Sequence, residues 1–206
     1  MGSSQYCLVL DLDETLIHYV ENGPDSYFLV RPFCMEFLDE LSKYYEIVVF
    51  TAGVQEYADW VIDQIDAEGR IKHRLYREHT FISQQDKALL IKKASTDRAG
   101  TANASGQNIP IILKDLSKIG RPLEKTIIVD NIADNFLLQK DNGIFIKSWY
   151  DDPYDTELRD LIPLLKQIVL LNIPDVRKCL KDYRDQMSRM ITESGGVHNL
   201  ILQGSK

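Results

Sequence analysis

The chain has few cysteines and no patterned histidines, and both features exclude familiar classes of site. Its three cysteines are scattered and form no CxxC pair, so neither a zinc ribbon nor a disulfide framework is supported. A reducing compartment fits these cysteines best. The four histidines show no metal-ligand spacing, and we expect each of them to be a surface or packing residue. In chain order they are His18, His73, His79 and His198.

Long apolar runs and excess positive charge are also missing. No uninterrupted apolar stretch approaches the roughly 20 residues that a membrane helix needs, and the longest candidate, 162–173, contains Pro163 and Lys166. No basic region precedes the first apolar run, as it would in a secretory signal. The net charge of −7 argues against direct nucleic-acid binding. We therefore expect an intracellular protein, nuclear or cytoplasmic, without a membrane span.

The length of 206 residues suits one α/β domain with a substantial core and is too short for two ordinary domains. We interpret residues 1–4 as an expression scar, residues 5–192 as a single domain and residues 193–206 as a tail. A polar insertion occupies about residues 82–109, where little is available for burial. A loop of this length is usually functional or mobile, and two interpretations stay open: a plain surface insertion or a segment that gates the substrate.

Buried apolar runs alternate with helical patterns along the chain. This alternation predicts an α/β fold with a central parallel sheet, right-handed crossovers and flanking helices. The sheet strands are predicted at 7–10, 45–51, 75–80, 126–129 and 143–146. A hairpin is expected at 17–30, and helices are expected after Arg31-Pro32 and at 55–65, 156–171 and 175–190. Helical spacing places Phe33 in the buried stripe of the first helix and Trp60 in that of the second.

The first strand stops at two carboxylates, Asp11 and Asp13. Ligands bind at the carboxyl ends of strands in open α/β sheets. If the chain stays extended, the side-chain period of 2 sends Asp11 and Asp13 one way and Leu12 the other. Adjacent carboxylates repel, so a cation or a proton must reconcile them. A bound Mg²⁺ would keep Asp11 ionised as a nucleophile, while Asp13 could carry the proton of a general acid. A solvated acidic turn is the alternative for this pair alone.

Other polar residues follow buried apolar runs. Thr51 and Asp130 end two strands, and Lys114 follows a further apolar segment. The carboxyl ends of parallel strands share one edge of the sheet, so these side chains can converge. Lys114 would neutralise phosphate oxygens, and the Thr51 hydroxyl would hydrogen-bond to them. Asp130 and Asn131 would complete an oxygen-lined Mg²⁺ site with Asp11. Each residue alone has an ordinary structural explanation, but together they indicate phosphoryl transfer.

Four segments resemble the four motifs of the haloacid dehalogenase superfamily: Asp11-Leu-Asp-Glu-Thr-Leu, Phe50-Thr-Ala, Lys114-Asp-Leu-Ser and Val129-Asp-Asn. More narrowly, the chain resembles the phosphatases that act on the C-terminal domain of RNA polymerase II and the Dullard-type phosphatases, as in Arg31-Pro32-Phe33 and Tyr76-Arg77-Glu78. The likeness runs from about residue 6 to residue 170. It implies a Rossmann-like sheet, Mg²⁺ dependence and dephosphorylation of phosphoserine or phosphothreonine in a protein or peptide substrate.

The resemblance also implies roles for individual residues. Asp11 is the nucleophile that forms an aspartyl-phosphate, and Asp13 protonates the leaving oxygen and then activates water. Thr51 and Lys114 hold the phosphate. The metal site comprises Asp11, the backbone carbonyl of Asp13, Asp130 and Asn131. One departure concerns residues 81–110: in the resembling phosphatases this interval is short and places an arginine near the substrate, whereas here no equivalent arginine can be aligned.

Two other functions stay open. The mitochondrial presequence-translocase receptor uses a similar domain for protein contacts, so a binding module with weak or no catalysis is one alternative. Such a module has no chemical reason to keep both carboxylates, Lys114 and Asp130. A small-molecule phosphatase of the same superfamily is the other alternative, and the hairpin region, 17–30, is too short to supply the large cap that would seal a metabolite from solvent. The sequence does not indicate an oligomeric state.

Overall fold

A computed structural model describes residues 5–83 and 111–193, which form nine strands and four α-helices. The strands are β1 (Tyr6–Leu10), β2 (Ile17–Val20), β3 (Tyr27–Val30), β4 (Tyr45–Phe50), β5 (Ile71–Leu75), β6 (Phe81–Ser83), β7 (Ile111–Leu113), β8 (Thr126–Asp130) and β9 (Gly143–Phe145). The helices are α1 (Cys34–Leu41), α2 (Gln55–Ile65), α3 (Glu157–Leu170) and α4 (Val176–Glu193). Within the described ranges, none of these helices is both long and apolar enough to cross a bilayer.

Five of the strands form one parallel sheet in the order β5-β4-β1-β8-β9. The central strand β1 pairs in parallel with β4 on one side and with β8 on the other. Every residue of β1 and β8 is buried, as the continuous apolar sequences of a sheet covered on both faces lead one to expect. The predicted fold class, a Rossmann-like parallel sheet flanked by helices, is therefore confirmed.

The two faces of the sheet bury separate cores because successive side chains of a strand point to opposite faces. Leu8 and Leu10 of β1 belong to the larger core, to which all four α-helices contribute. Cys7 and Val9 belong to the smaller core, where Phe136 of the 3-10 segment Ala133–Asn142 packs. The α-helices thus cover one face, and shorter 3-10 segments cover the other.

The third strand of the parallel sheet was predicted wrongly. It is β5, at 71–75, and not residues 75–80. β5 lies at the edge of the sheet and leaves Lys72 and His73 exposed, so it lacks the continuous apolar run by which the other strands were recognised. Residues 77–79 instead form a 3-10 turn, and β6 follows it.

Both predicted helical stripes contain one residue that does not belong there. Phe33 has a φ of 64°, the left-handed conformation, and lies just before α1 begins. Trp60 of α2 is 45% exposed, and its ring packs against Phe28 of the hairpin with centroids 5.1 Å apart. The buried stripe of α2 consists of Ala58, Val61, Ile62 and Ile65.

Two antiparallel ribbons accompany the sheet. β2 and β3 form the hairpin predicted at 17–30, and β6 pairs with β7. Most of the predicted insertion at 82–109 lies outside the described residues, except for Ile82 and Ser83, which belong to β6. Residues 1–4 also lie outside them, as does the predicted tail apart from Glu193, the last residue of α4.

Candidate active site

Three of the predicted site residues lie at the carboxyl edge of the parallel sheet. Asp11 follows β1, Thr51 follows β4, and Asp130 is the last residue of β8. Since β1 pairs in parallel with both neighbours, these strand ends lie side by side. Lys114 reaches the same edge from the β6-β7 ribbon, and its backbone N–H donates to the carbonyl of Asn135 at 2.6 Å.

Lys114 lies between two carboxylates and is completely buried. Its Nζ donates to Asp11 Oδ1 at 2.5 Å and to Asp130 Oδ2 at 2.6 Å. Burial by itself lowers the pKa of Lys114, but the two carboxylates outweigh it and raise that pKa above its ordinary value. The ammonium is therefore held in its charged form at the centre of the site.

Asp130 has further donors that the sequence did not reveal. Asn135 Nδ2 donates to its two carboxylate oxygens at 3.0 and 3.1 Å, and the backbone N–H of Ile132 donates at 2.8 Å. Burial, with the charge of Asp11 nearby, raises the pKa of Asp130 to about 6. Asp130 therefore depends on cations and donors around it to stay ionised at neutral pH.

The hydroxyl of Thr15 joins Asp11 to Asn131. Its Oγ1 lies 3.1 Å from Asp11 Oδ2 and 3.3 Å from Asn131 Oδ1. Asn131 is oriented by its own Nδ2, which donates to Ser148 Oγ at 3.0 Å, so that its Oδ1 faces Thr15. Asp11 and Asn131 thus each present an oxygen atom to the Thr15 hydroxyl, and their predicted role in a metal site stays a prediction. Thr15 and Ser148 were not among the predicted site residues.

Asp13, the second carboxylate after β1, has its own hydrogen-bond donors. Its carboxylate accepts from Thr51 Oγ1 at 3.2 Å and from the Tyr57 hydroxyl at 2.5 Å. Leu12, between the two aspartates, is buried in the larger core, which is the alternation predicted for an extended chain. Burial raises the pKa of Asp13, the Tyr57 hydrogen bond opposes that rise, and the charge of Asp11 adds to it. This environment favours the protonated form that a general acid needs.

Residues 51–53 form a tight turn between β4 and α2. Gly53 N–H donates to Thr51 Oγ1 at 2.9 Å, and Thr51 N–H donates to the carbonyl of Leu75 at 2.9 Å. Arg77 holds the outer side of this turn: its N–H donates to the Gly53 carbonyl at 2.9 Å and its Nε to the Ala52 carbonyl at 2.8 Å. Arg77 is otherwise exposed.

The chemistry of the oxygen donors fits a hard divalent cation. Carboxylates of Asp11 and Asp130 and the amide oxygen of Asn131 are the kind of ligand that Mg²⁺ takes, together with waters. In the part of the chain that the structure describes, no three His, Cys, Asp or Glu side chains are grouped to hold a metal. A metal here would therefore also need amide, carbonyl or water oxygens, and the predicted role of the Asp13 carbonyl stays a prediction.

Sequence comparison finds phosphatases among the relatives of this chain. Residues 6–177 match the family model described as "NLI interacting factor-like phosphatase". The "Probable C-terminal domain small phosphatase" of Dictyostelium discoideum is 38% identical, over 86% of this chain and 55% of that protein. The "Carboxy-terminal domain RNA polymerase II polypeptide A small phosphatase 1" of Homo sapiens is 32% identical, over 88% of this chain and 66% of that protein.

Among solved structures, the fission yeast RNA polymerase II CTD phosphatase Fcp1 aligns over 92% of this chain and 66% of that chain. The TM-score of this alignment is 0.48, and the sequence identity is 17%. The chain spans 55% of the length of the Dictyostelium relative and 39% of the "Phosphatase PSR1" of Saccharomyces cerevisiae.

Proposed function

The chain belongs to the NLI interacting factor-like phosphatase family, and on that premise we propose that it is a Mg²⁺-dependent protein serine/threonine phosphatase acting through an aspartyl-phosphate. The observation that carries this proposal is the contrast between two neighbouring carboxyl groups. Asp11 is ion-paired with the buried ammonium of Lys114, whereas burial raises the pKa of Asp13. One environment favours the ionised form of a carboxyl group and the other favours the protonated form, so Asp11 is suited to act as the nucleophile and Asp13 as the general acid.

In the first half of the reaction, a carboxylate oxygen of Asp11 attacks the phosphorus atom of the substrate. The bond between phosphorus and the serine or threonine oxygen breaks, and Asp13 gives its proton to that oxygen. The products of this step are the free hydroxyl side chain and a phosphoryl group bound to Asp11. Asp13 is left as a carboxylate, with the hydrogen bond from the Tyr57 hydroxyl to stabilise it.

In the second half, the Asp13 carboxylate takes a proton from a water molecule as the water oxygen attacks phosphorus. The bond between phosphorus and the Asp11 oxygen breaks, inorganic phosphate leaves, and Asp13 is again protonated. The same side chain thus serves as acid and then as base, which requires a carboxyl group whose pKa the protein has moved toward the working pH.

The negative charge of the phosphoryl group is balanced by groups that the protein holds in place. Lys114 is charged and buried, and a positive charge in a water-poor site acts more strongly than one in water. The Thr51 hydroxyl, fixed by Gly53, supplies a hydrogen bond to a phosphate oxygen. Mg²⁺ held by Asp11, Asp130 and Asn131 would supply further electrostatic stabilisation of that charge.

A protein or peptide is the substrate class that the site supports best. The hairpin 17–30 is too short to form a large cap, and aromatic side chains form a surface beside Asp13. Tyr57 packs on Tyr19 with ring centroids 5.3 Å apart, and Trp60 packs on Phe28. Such a surface suits apolar residues that flank a phosphorylated side chain. The C-terminal domain of RNA polymerase II is one candidate substrate.

We also propose an intracellular location, nuclear or cytoplasmic. The free cysteines suit such a reducing compartment; they are Cys7, Cys34 and Cys179.

Phosphate release from a generic aryl phosphate tests the proposal. We expect activity with Mg²⁺ that is lost with EDTA and in Asp11→Asn, while circular dichroism shows that the variant is folded. A folded, Mg²⁺-loaded wild type without activity would instead favour a protein-binding module. Sugar phosphates hydrolysed far faster than phosphopeptides would favour a small-molecule phosphatase.

A further inference from the structure

Arg31 is a buried arginine that connects Asp155 to Thr15, which lies in the loop after β1. Arg31 is 1% exposed. Its Nε and Nη2 donate to the two carboxylate oxygens of Asp155 at 2.8 Å each. The third donor, Nη1, reaches the backbone carbonyl of Thr15 at 3.2 Å. A planar guanidinium can serve these partners together, whereas a lysine ammonium provides a single point of charge.

Thr15 is also the residue whose hydroxyl lies 3.1 Å from Asp11 Oδ2. The backbone N–H of Arg31 donates to the carbonyl of Leu16 at 3.0 Å. Arg31 therefore binds two successive carbonyls, one through its side chain and one through its backbone, within the nucleophile loop, residues 11–16, which carries Asp11. Asp155 in turn fixes the guanidinium from the opposite side.

Residues 148–155, which we name the clasp, contact the same loop at a second point. The backbone N–H of Trp149 donates to the carbonyl of Glu14 at 2.9 Å. Ser148, the first residue of the clasp, accepts a hydrogen bond from Asn131 Nδ2 through its Oγ. Within the clasp, the indole N–H of Trp149 donates to the carbonyl of Asp152 at 2.8 Å. Asp155 is thus one end of a segment that also touches Asn131.

We propose that Arg31 and Asp155 are positioning residues for the nucleophile, an inference that rests on the proposed phosphatase function. The ion pair fixes the Thr15 carbonyl, and with it the direction of the Thr15 hydroxyl toward Asp11 Oδ2. Lys114 holds the other oxygen of Asp11, so the two donors together set the plane of the carboxylate. Attack on phosphorus needs the attacking oxygen of Asp11 in line with the phosphorus–oxygen bond that breaks, and small misplacements of a reacting group cost about 10²-fold in rate.

The test compares kcat and KM for an aryl phosphate in Arg31→Lys and Asp155→Asn. We expect kcat to fall about 10- to 100-fold with KM changed little, because the misalignment of Asp11 affects the reaction step and the phosphate-binding groups are intact. Arg74→Lys is the matched control. Arg74 likewise donates to two carboxylates, Asp59 at 2.8 Å and Asp63 at 2.7 Å, and among the described residues its side chain makes no hydrogen bond or ion pair with the nucleophile loop.

A double variant separates positioning from a general loss of structure. If Arg31 acts through Thr15, then Arg31→Lys lowers kcat by less than about 2-fold in a Thr15→Val background, because residues that act as a unit are not additive. Asp155→Glu keeps the carboxylate and is expected to recover most of the activity lost in Asp155→Asn. Thermal melting of every variant accompanies the kinetics, and Asp155→Asn carries the test if Arg31→Lys does not fold.

Wild-type kcat in both Arg31→Lys and Asp155→Asn would overturn the inference, as would losses that multiply in the Thr15→Val background. A loss in Arg74→Lys as large as that in Arg31→Lys would also overturn it, by attributing the effect to any broken ion pair. Absence of phosphate release from the wild type is a different outcome. It would contradict the proposed function itself, and the assigned role of Arg31 would fail with it.

Discussion

Tyr57 donates its hydroxyl to Asp13 Oδ1 at 2.5 Å, although 44 residues separate the two in the sequence. The phenol comes from the first turns of α2 and the carboxylate from the loop after β1. The contact is half-buried, so the hydrogen bond acts where solvent competes poorly for the carboxylate. It stabilises the ionised form of Asp13 against burial, which favours the protonated form.

We predict that Tyr57→Phe shifts the alkaline limb of the pH–rate profile to higher pH. Removal of the donor raises the pKa of Asp13 further, because the hydrogen bond from Tyr57 lowers it. A general acid is active below its pKa and is lost as the pH rises through it, so a higher pKa extends activity upward. The profile of kcat/KM on a phosphoserine peptide, whose leaving oxygen needs the proton, measures the shift. An unchanged or downward-shifted limb would contradict the role of Asp13 as the acid.

Lys114→Met should destabilise the fold and abolish activity. The substitution leaves Asp11 and Asp130 buried beside each other without the ammonium between them. Breaking a buried ion pair typically costs about 3–5 kcal/mol, which urea unfolding would measure. We expect added Mg²⁺ to recover part of the lost stability, since a cation bound only by the folded state stabilises it.

Lys43→Met is the control for the loss of a lysine between two carboxylates. Lys43 bridges Asp39 and Glu40 on the surface, where its side chain is 52% exposed. Ion pairs in this setting contribute little to stability, so the unfolding curve should change far less than in Lys114→Met. Equal effects of the two substitutions would argue that the buried cluster around Lys114 has no special importance.

Arg77→Ala should weaken the binding of a phosphopeptide more than that of an aryl phosphate. Arg77 is exposed and is fixed on the turn 51–53 by two hydrogen bonds, so it is available to a substrate larger than the phosphate itself. Loss of a charge-assisted hydrogen bond predicts a rise in KM of about 10-fold for the peptide. Steady-state kinetics on both substrates provide the comparison. An equal change for both substrates would contradict a role for Arg77 in binding the peptide.

The positions of the principal site residues could be predicted because each follows a continuous apolar run. Asp11, Thr51 and Asp130 end buried parallel strands, and the topology of such a sheet brings its strand ends together. β5 could not be predicted in the same way, since an edge strand with exposed Lys72 and His73 does not differ in pattern from a loop. The sequence therefore locates buried strands well and edge strands poorly.

The residues that orient the site were missed for another reason. Tyr57 has the helical spacing of a buried apolar residue, and nothing in that spacing identifies Asp13 as the partner of its hydroxyl. Asn135 lies in the 3-10 segment Ala133–Asn142 and Ser148 in a loop, and neither segment has an apolar periodicity that identifies Asp130 or Asn131 as a partner. Periodicity reports which face a residue occupies, whereas a hydrogen bond between side chains far apart in sequence depends on tertiary geometry.

The covalent intermediate is the most direct test of the central claim, that Asp11 carries the phosphoryl group. Asp13→Asn keeps the nucleophile and removes the acid and base, so its turnover should fall at least 10²- to 10⁴-fold, the range for general acid–base catalysis. We predict that this variant, mixed with Mg²⁺ and an aryl phosphate, gains the mass of one phosphoryl group. Intact-mass spectrometry should detect this gain, and peptide mapping should place the phosphoryl group on Asp11. The double variant Asp11→Asn, Asp13→Asn should gain no such mass. Turnover near the wild-type rate without an adduct, or an adduct on another residue, would contradict the account.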